Sequence, residues 1–406
     1  MSPRPSPSAR SAIPESPPAS SPVNALKLLF VTTEFPPGPG GIGTHGSHIC
    51  LQLARRGWRI TVLTPQAYVG DGEIEAWNNA QPFDVVTLPP MPGRARRALS
   101  RARTLARWAK ELKPDVLLAS GDPAVYVGAW CARKYGIPSV GVEHGRLPRR
   151  WERPIKRRFF GATSAVVAVS SFSLQRLRAM GVKPRREQVI TNGADAEHFR
   201  PLPPERVEAV RADLGLADRR ILLTVGNMTE RKGQDIVIRA MPRVLAKAPD
   251  ARYLVVGLPT RRPQLEALAA ELGVKEHVHF VGRVDGERLL ELYNACDVFT
   301  MTSRHTAEEF EGYGIGVIEA ALCGKPAVVS ASSGLMEAIV HGETGVGVPL
   351  EDPDATADAI AELFLDDGAR RKLGEAARRR ALSEGTWEHV TDRYQDLFED
   401  VARSGP

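Results

Sequence analysis

Two alternating periodicities limit this chain more than anything else. From Ala25 onward, short runs rich in Val, Ile and Leu alternate with longer stretches of helical spacing. Leu26–Thr33, Trp58–Thr64, Asp84–Leu88, Asp115–Ala119, Ser139–Val142, Ala165–Val169 and Gln188–Thr191 read as strands. They are apolar almost throughout, as strands covered on both faces are. Thr44–Arg56, Arg94–Leu112, Pro123–Tyr135 and Phe172–Met180 read as the helices between them. Strict alternation predicts a parallel sheet wound on both sides. Arg-Pro-Leu-Pro-Pro at 200–204 breaks the rhythm and reads as a linker. A second series follows, with strands at Ile221–Val225, Tyr253–Val256, Val278–Val281, Val298–Thr302, Ala327–Val329 and Gly345–Val348. Its helices include Asp235–Ala246, Gln264–Leu272, Gly286–Cys296 and Gly316–Cys323. The fold class is therefore α/β, with two Rossmann-like domains at about 25–199 and 205–385. A length of 406 residues fits two cores better than one. Ligands of such sheets bind beyond the carboxyl ends of the strands, so two facing sheets place a site in the cleft between them.

Composition narrows the partners. A formal charge of +6 permits an anionic partner without choosing among nucleotide, nucleic acid and membrane. Cys50, Cys131, Cys296 and Cys323 are scattered without metal-ligand spacing, as packed, reduced thiols are. No apolar run approaches a membrane span, and the first residues lack the apolar stretch of a signal peptide. The expected location is the cytoplasm. Residues 1–24 form a Ser/Pro segment with almost no large apolar side chains and are expected to be disordered.

Five stretches carry candidate chemistry, each at a strand end. Residues 34–45, Glu-Phe-Pro-Pro-Gly-Pro-Gly-Gly-Ile-Gly-Thr-His, hold glycines at 38, 40 and 43 in a dinucleotide-type spacing. A nicotinamide or flavin site also wants an acidic residue at the end of the second strand. No Asp or Glu occurs from Thr44 to Gly70, which disfavours a dinucleotide and leaves a phosphate-approaching glycine loop. Gly141–Gly145 ends in Glu-His-Gly and puts His144 at a strand end. Residues 189–199 carry the turn signal Asn192-Gly193. Residues 224–233 deliver Arg231 and Lys232 just before a helix, an arrangement suited to a diphosphate. Ser303 to Pro326 places Glu311 and Glu319 eight residues apart, at the mouth and on the body of one helix, with Gly312, Gly314 and Gly316 between. Small residues let a ligand approach the backbone, and the free N–H groups of a helix start face it. Two carboxylates beside such a helix suit a molecule with hydroxyls and phosphate. For each stretch the plainer alternative is a solvated or packed loop.

Taken in order, the glycine loop, Glu-His-Gly, Asn-Gly, Val-Gly…Lys-Gly and Glu-x7-Glu resemble family four of the retaining glycosyltransferases. The resemblance runs from about Leu26 to the C terminus. It implies the GT-B fold, two facing Rossmann-like domains with a central cleft, and a final helix at about 387–403 that returns to the first domain. It implies that Glu319 binds the donor ribose, and that Glu311 with the backbone around Tyr313, Gly314 and Ile315 holds the transferred sugar. Lys232, aided by Arg231, would bind the diphosphate; Gly41 would contact the phosphates; His144 would lie near the sugar. Val281, Gly282 and Arg283 would line the base pocket. Lys232, Glu311 and His144 are the implied catalytic residues. One position departs: where the family usually has Arg after the glycine of the Val-Gly stretch, this chain has Asn227, a neutral amide for an always-charged fork.

The implied reaction is transfer of a hexose from a nucleotide-diphosphate sugar of the GDP-mannose or UDP-glucose type to a hydroxyl of a lipid-linked or polysaccharide acceptor. Anomeric configuration would be retained, in cell-envelope glycan synthesis. No Asp-x-Asp metal site is seen, so no metal or other cofactor is expected. No side chain stands out as a nucleophile for double displacement, which favours a front-face mechanism. Two basic stretches, Arg94–Lys113 and Arg146–Arg158, suit docking on an anionic membrane, which would place the protein peripherally on its inner face. The alternative is a solvated Arg face on helices packed against the sheet. No nucleic-acid module appears. A non-catalytic sugar-nucleotide-binding subunit and a GT-B-like nucleotide-sugar epimerase remain as alternatives.

Overall fold

The structure is a computed structural model that describes residues 25–405 apart from 39, 67–68, 90–92 and 332; the segment 1–24 lies outside the described residues. The first sheet comprises β1 (Lys27–Thr32), β2 (Arg59–Thr64), β3 (Asp84–Thr87), β4 (Val116–Ser120), β5 (Ser139–Glu143), β6 (Ala165–Ala168) and β7 (Glu187–Val189). All are parallel, in the order β3-β2-β1-β4-β5-β6-β7. The second sheet comprises β8 (Arg220–Val225), β9 (Ala251–Val256), β10 (Val278–Gly282), β11 (Val298–Met301), β12 (Ala327–Ser330) and β13 (Gly345–Val348), again parallel, in the order β10-β9-β8-β11-β12-β13. The α/β class with two parallel sheets is as expected. In each sheet the order reverses beside the first strand, between β1 and β4 and between β8 and β11. A crevice opens at the carboxyl ends of the strands there, because the flanking loops lead to opposite faces.

Helices cover both faces. In the first half they are α1 (Gly41–Arg55), α2 (Asp71–Asn79), α3 (Arg94–Leu112), α4 (Asp122–Tyr135), α5 (Arg153–Phe160) and α6 (Ser171–Ala179). The second half carries α7 (Pro204–Asp213), α8 (Gln234–Lys247), α9 (Arg262–Glu271), α10 (Gly286–Ala295), α11 (Ile315–Leu322), α12 (Leu335–Ala338), α13 (Pro353–Leu365) and α14 (Asp367–Glu384). The last helix, α15 (Trp387–Ser404), packs on α1. Its Trp387, Tyr394 and Phe398 are buried, and the Phe398 ring lies 5.9 Å from that of Trp58. The crossing is pinned by backbone bonds: Ala194 N–H donates to Gly385 O at 2.9 Å and Trp387 N–H to Ala194 O at 3.2 Å.

Several boundaries differ from expectation by a few residues, and three of them are informative. α1 begins at Gly41 rather than Thr44, so the Gly-Gly pair is the helix start itself. α7 begins at Pro204, inside the expected linker, because proline is tolerated in a first turn where no N–H partner is needed. β7 ends at Val189, two residues short of the expected strand end. α2 buries only Ile74, so it has no apolar stripe to announce it.

Candidate active site

The loops at the two crevices are those that carry the motifs. After β1 come Glu34 and the glycine turn into α1; after β4, Ser120 and Gly121; after β5, His144. From the second half come Gly226–Gly233 after β8 and Thr302–Gly314 after β11. The two sets meet. Phe310 N–H donates to Gly145 O at 3.0 Å and Leu147 N–H to Glu308 O at 2.7 Å, joining the loops by a short antiparallel bridge at Arg146 and Glu309. Gly312 permits this contact: a Cβ there would sit 2.5 Å from His144 O. Gly314 has φ +92°, and a Cβ would meet Leu335 at 2.6 Å, so the left-handed turn into α11 needs glycine.

Glu311 is the hub. Lys232 Nζ lies 2.9 Å from its Oε2, Arg231 pairs with the same oxygen, and Ser303 Oγ donates to it at 3.2 Å. Burial would raise the pKa of this carboxyl, but the Arg231 and Lys232 charges win and hold it at about 2. Arg231 also reaches Glu309 at 3.1 Å. For Lys232 burial dominates and lowers the ammonium pKa, against the pull of Glu311. Glu319, on the body of α11, accepts from Tyr293 OH at 2.6 Å. Its pKa is raised, chiefly by burial. Asn227 does not take the place of the cation. Its Oδ1 accepts from Leu258 N–H at 3.3 Å, bracing the loop after β9. Arg231 cannot stand in freely either, since two carboxylates hold it.

Across the cleft, Gly41 approaches the second domain: a Cβ on it would lie 4.0 Å from Ile315 Cδ1. Arg283 Nη2, at the left-handed turn of Gly282, reaches Pro37 O at 3.5 Å. His144 Nε2 meets Ser120 Oγ at 2.8 Å, and its ring stands edge-on to His45 at 5.1 Å. Burial holds the His144 pKa well below the ordinary value. The Tyr313 side chain is buried.

Several side chains around the candidate site carried no signal in the sequence. Ser120 and Tyr293 each bond a candidate site residue from another element. Glu34 is half-buried at the end of β1, its pKa raised by burial and by Glu309 against the pull of Arg231; an acidic residue at a strand end was its one visible mark. Beneath His144, Lys156 is fully buried, 2.5 Å from Glu143 Oε2 and 3.1 Å from Asp122 Oδ1. The basic stretch Arg146–Arg158 is therefore not all surface. Lys156 is a core cation, Arg146 pairs with Asp122 and Glu152, and Arg149 pairs with Glu308. Arg150, Arg153, Arg157 and Arg158 remain exposed. No cluster of three or more His, Cys, Asp or Glu that could hold a metal occurs among the described residues.

Comparisons with known proteins bear on this geometry. The family "Glycosyl transferases group 1" matches residues 207–380 and "Glycosyltransferase Family 4" matches residues 39–198. The chain is a GT-B glycosyltransferase of the family 4 type. Among its relatives is the GDP-mannose-dependent alpha-(1-6)-phosphatidylinositol monomannoside mannosyltransferase of Mycobacterium tuberculosis, 29% identical over 93% of this chain and 100% of that protein. Another is the D-inositol 3-phosphate glycosyltransferase of Rhodococcus jostii, 29% identical over 87% of this chain and 83% of that protein. The structure of Anabaena Alr3699/HepE in complex with UDP-glucose superposes with TM-score 0.78 at 22% identity, covering 92% and 100% of the two chains. Sucrose-phosphate synthase from Thermosynechococcus elongatus superposes at 0.80 and 22%, covering 93% and 100%. In this glycosyltransferase no helix among the described residues is long and apolar enough to cross a membrane.

Proposed function

We propose that this glycosyltransferase moves mannose from GDP-mannose to a hydroxyl of a lipid-linked acceptor with retention of anomeric configuration, UDP-glucose being the competing donor. One observation carries the donor half. Two cations, Arg231 and Lys232, converge on the Glu311 carboxylate at the mouth of α11, facing Gly41 and the start of α1. Charge grows on the diphosphate as the glycosidic bond stretches. A lysine and free helix N–H groups already in place meet that charge without reorganisation. On this reading no metal is required. Glu311, held ionised by two cations, is suited to accept hydrogen bonds from sugar hydroxyls and is a poor nucleophile, which supports a front-face path. Glu319, fixed by Tyr293, offers its other oxygen to a ribose hydroxyl. His144, neutral at pH 7, would face the sugar from the opposite wall. The activities of the mannosyltransferase relatives support the choice of GDP-mannose and of a glycolipid acceptor. The exposed Arg faces of α3 and α5 support docking on an anionic bilayer.

Thermal shift with GDP-mannose and UDP-glucose tests the donor, because a ligand of the folded state raises the melting point. GDP-mannose should give the larger rise. Product analysis by NMR should then find a retained linkage on the acceptor. An inverted linkage, an epimerised nucleotide sugar, or activity abolished by chelator and restored by manganese would overturn the respective part.

A further inference from the structure

A second opening lies away from the cleft, between α3 and α4, with Phe159 of α5 at one end. Its volume is about 800 Å3, within the range of small-molecule sites. The reason it exists is legible in α3. Leu105 and Ala109 point into the core and are buried, but the apolar stripe is wider than this packing uses. Ala102 and Ala106, small and on adjacent turns, leave a furrow against Val127 and Trp130 of α4. Leu99 stays 51% exposed and Trp130 40% exposed beside it. From Tyr126 to Tyr135, α4 rises roughly 14 Å, so the opening is a long trough.

The rim is basic. Arg103, Arg107, Lys110 and Lys134 line it, and no carboxylate pairs with any of the four among the described residues. Lys134 Nζ lies 5.1 Å from the Trp130 ring and 5.5 Å from the Tyr135 ring, and Lys110 Nζ lies 5.9 Å from that same Tyr135. Two ammonium groups thus converge at one end of an apolar furrow. We propose that the trough seats one fatty acyl chain of an anionic phospholipid, with the lipid phosphate at the Lys110–Lys134 end. Apolar length and unpaired positive charge at one end together match a single-chain anionic amphiphile. Segment 1–24 is a poor occupant: its Arg4 and Arg10 outnumber its Glu15, so it brings positive charge to a basic rim. The site differs from adsorption of a basic face on a bilayer, because a chain enters the protein. It does not depend on which sugar donor the cleft takes.

The test uses the full chain and lysophosphatidylglycerol carrying a brominated acyl chain, which quenches nearby tryptophan. Quenching should be seen in the wild type and be largely lost in Trp130→Phe, placing the chain beside Trp130. Ala102→Trp, which fills the furrow, should weaken binding by about tenfold or more. Should that variant fold poorly, Lys110→Glu with Lys134→Glu provides the second arm and should weaken binding similarly. The zwitterionic lysophosphatidylcholine counterpart should bind more weakly than the anionic lipid. Binding with equal quenching in Trp130→Phe, binding unaffected by Ala102→Trp, no binding at all, or a trough occupied by a second copy that the lipid does not displace would each overturn the proposal. Stabilisation by GDP-mannose, measured on the same variants, reports on the donor cleft separately.

Discussion

Charge placement on single side chains divides this molecule into working and supporting cations. Lys232 lies at the cleft and shares one carboxylate oxygen with Arg231; on the proposed reading it meets the donor diphosphate. On that reading, alanine in its place removes the charge that answers the leaving group and leaves Arg231 as the cation on Glu311. Lys232→Ala should lower kcat by about a hundredfold or more, as loss of a preorganised transition-state partner does. Steady-state kinetics with the preferred donor checks this, and wild-type turnover would remove Lys232 from the mechanism. Lys156 supports: sealed between Glu143 and Asp122, it stiffens the loop that presents His144. Nothing in the spelling Arg-Pro-Ile-Lys-Arg-Arg marks one of its cations as internal. Only the carboxylates delivered by α4 and β5 do so.

Between elements, a buried polar cluster joins α1, the Asn-Gly turn and α15. His45 Nδ1 meets Asn192 Oδ1 at 2.8 Å, and Tyr394 OH meets His45 Nε2 at 3.1 Å. Burial lowers the His45 pKa to about 4, the Asn192 bond opposing and His48 adding to the fall. The unfolded chain takes up this proton near pH 6.5 and the folded chain only near 4. Between those values the unfolded state binds more protons, so stability present above pH 6.5 drains as pH falls. For His45 the loss across that window is on the order of 3 kcal/mol. Urea unfolding across that range should therefore show a shallower pH dependence for His45→Gln than for the wild type. Equal slopes would mean that His45 is already protonated in the fold. His144 and His48, also lowered by burial, act in the same direction in both proteins.

Over the whole molecule, the chain threads twice between halves, and α15 fastens the second passage to the first sheet. Phe398 is fully buried against Trp58 and Tyr394. Phe398→Ala should cost about 3–5 kcal/mol, as removal of a buried aromatic ring does. A clear fall in melting temperature would show it; an unchanged one would mean that the helix is not integral to the first half. The halves also touch directly. Glu337 of α12 accepts from Ser171 and Phe172 N–H at 2.8 and 3.0 Å, capping α6 from the other domain. Together with the Gly145–Phe310 bridge, this holds the cleft walls in register.

The α/β class, both parallel series and the residues at strand ends could be read from the chain because local periodicity and turn chemistry encode them. Lys232, Glu311 and Glu319 stood out for that reason, each in a short motif beside a helix start. Other features depend on residues far apart in the sequence. Tyr293 meets Glu319, Ser120 meets His144, and Lys156 finds its two carboxylates only when separate strands align. The start of α1 at Gly41 and the furrow between α3 and α4 belong to the same class. Hydrogen bonds, burial and cavities are properties of neighbours in space, and no run of adjacent residues records who those neighbours will be.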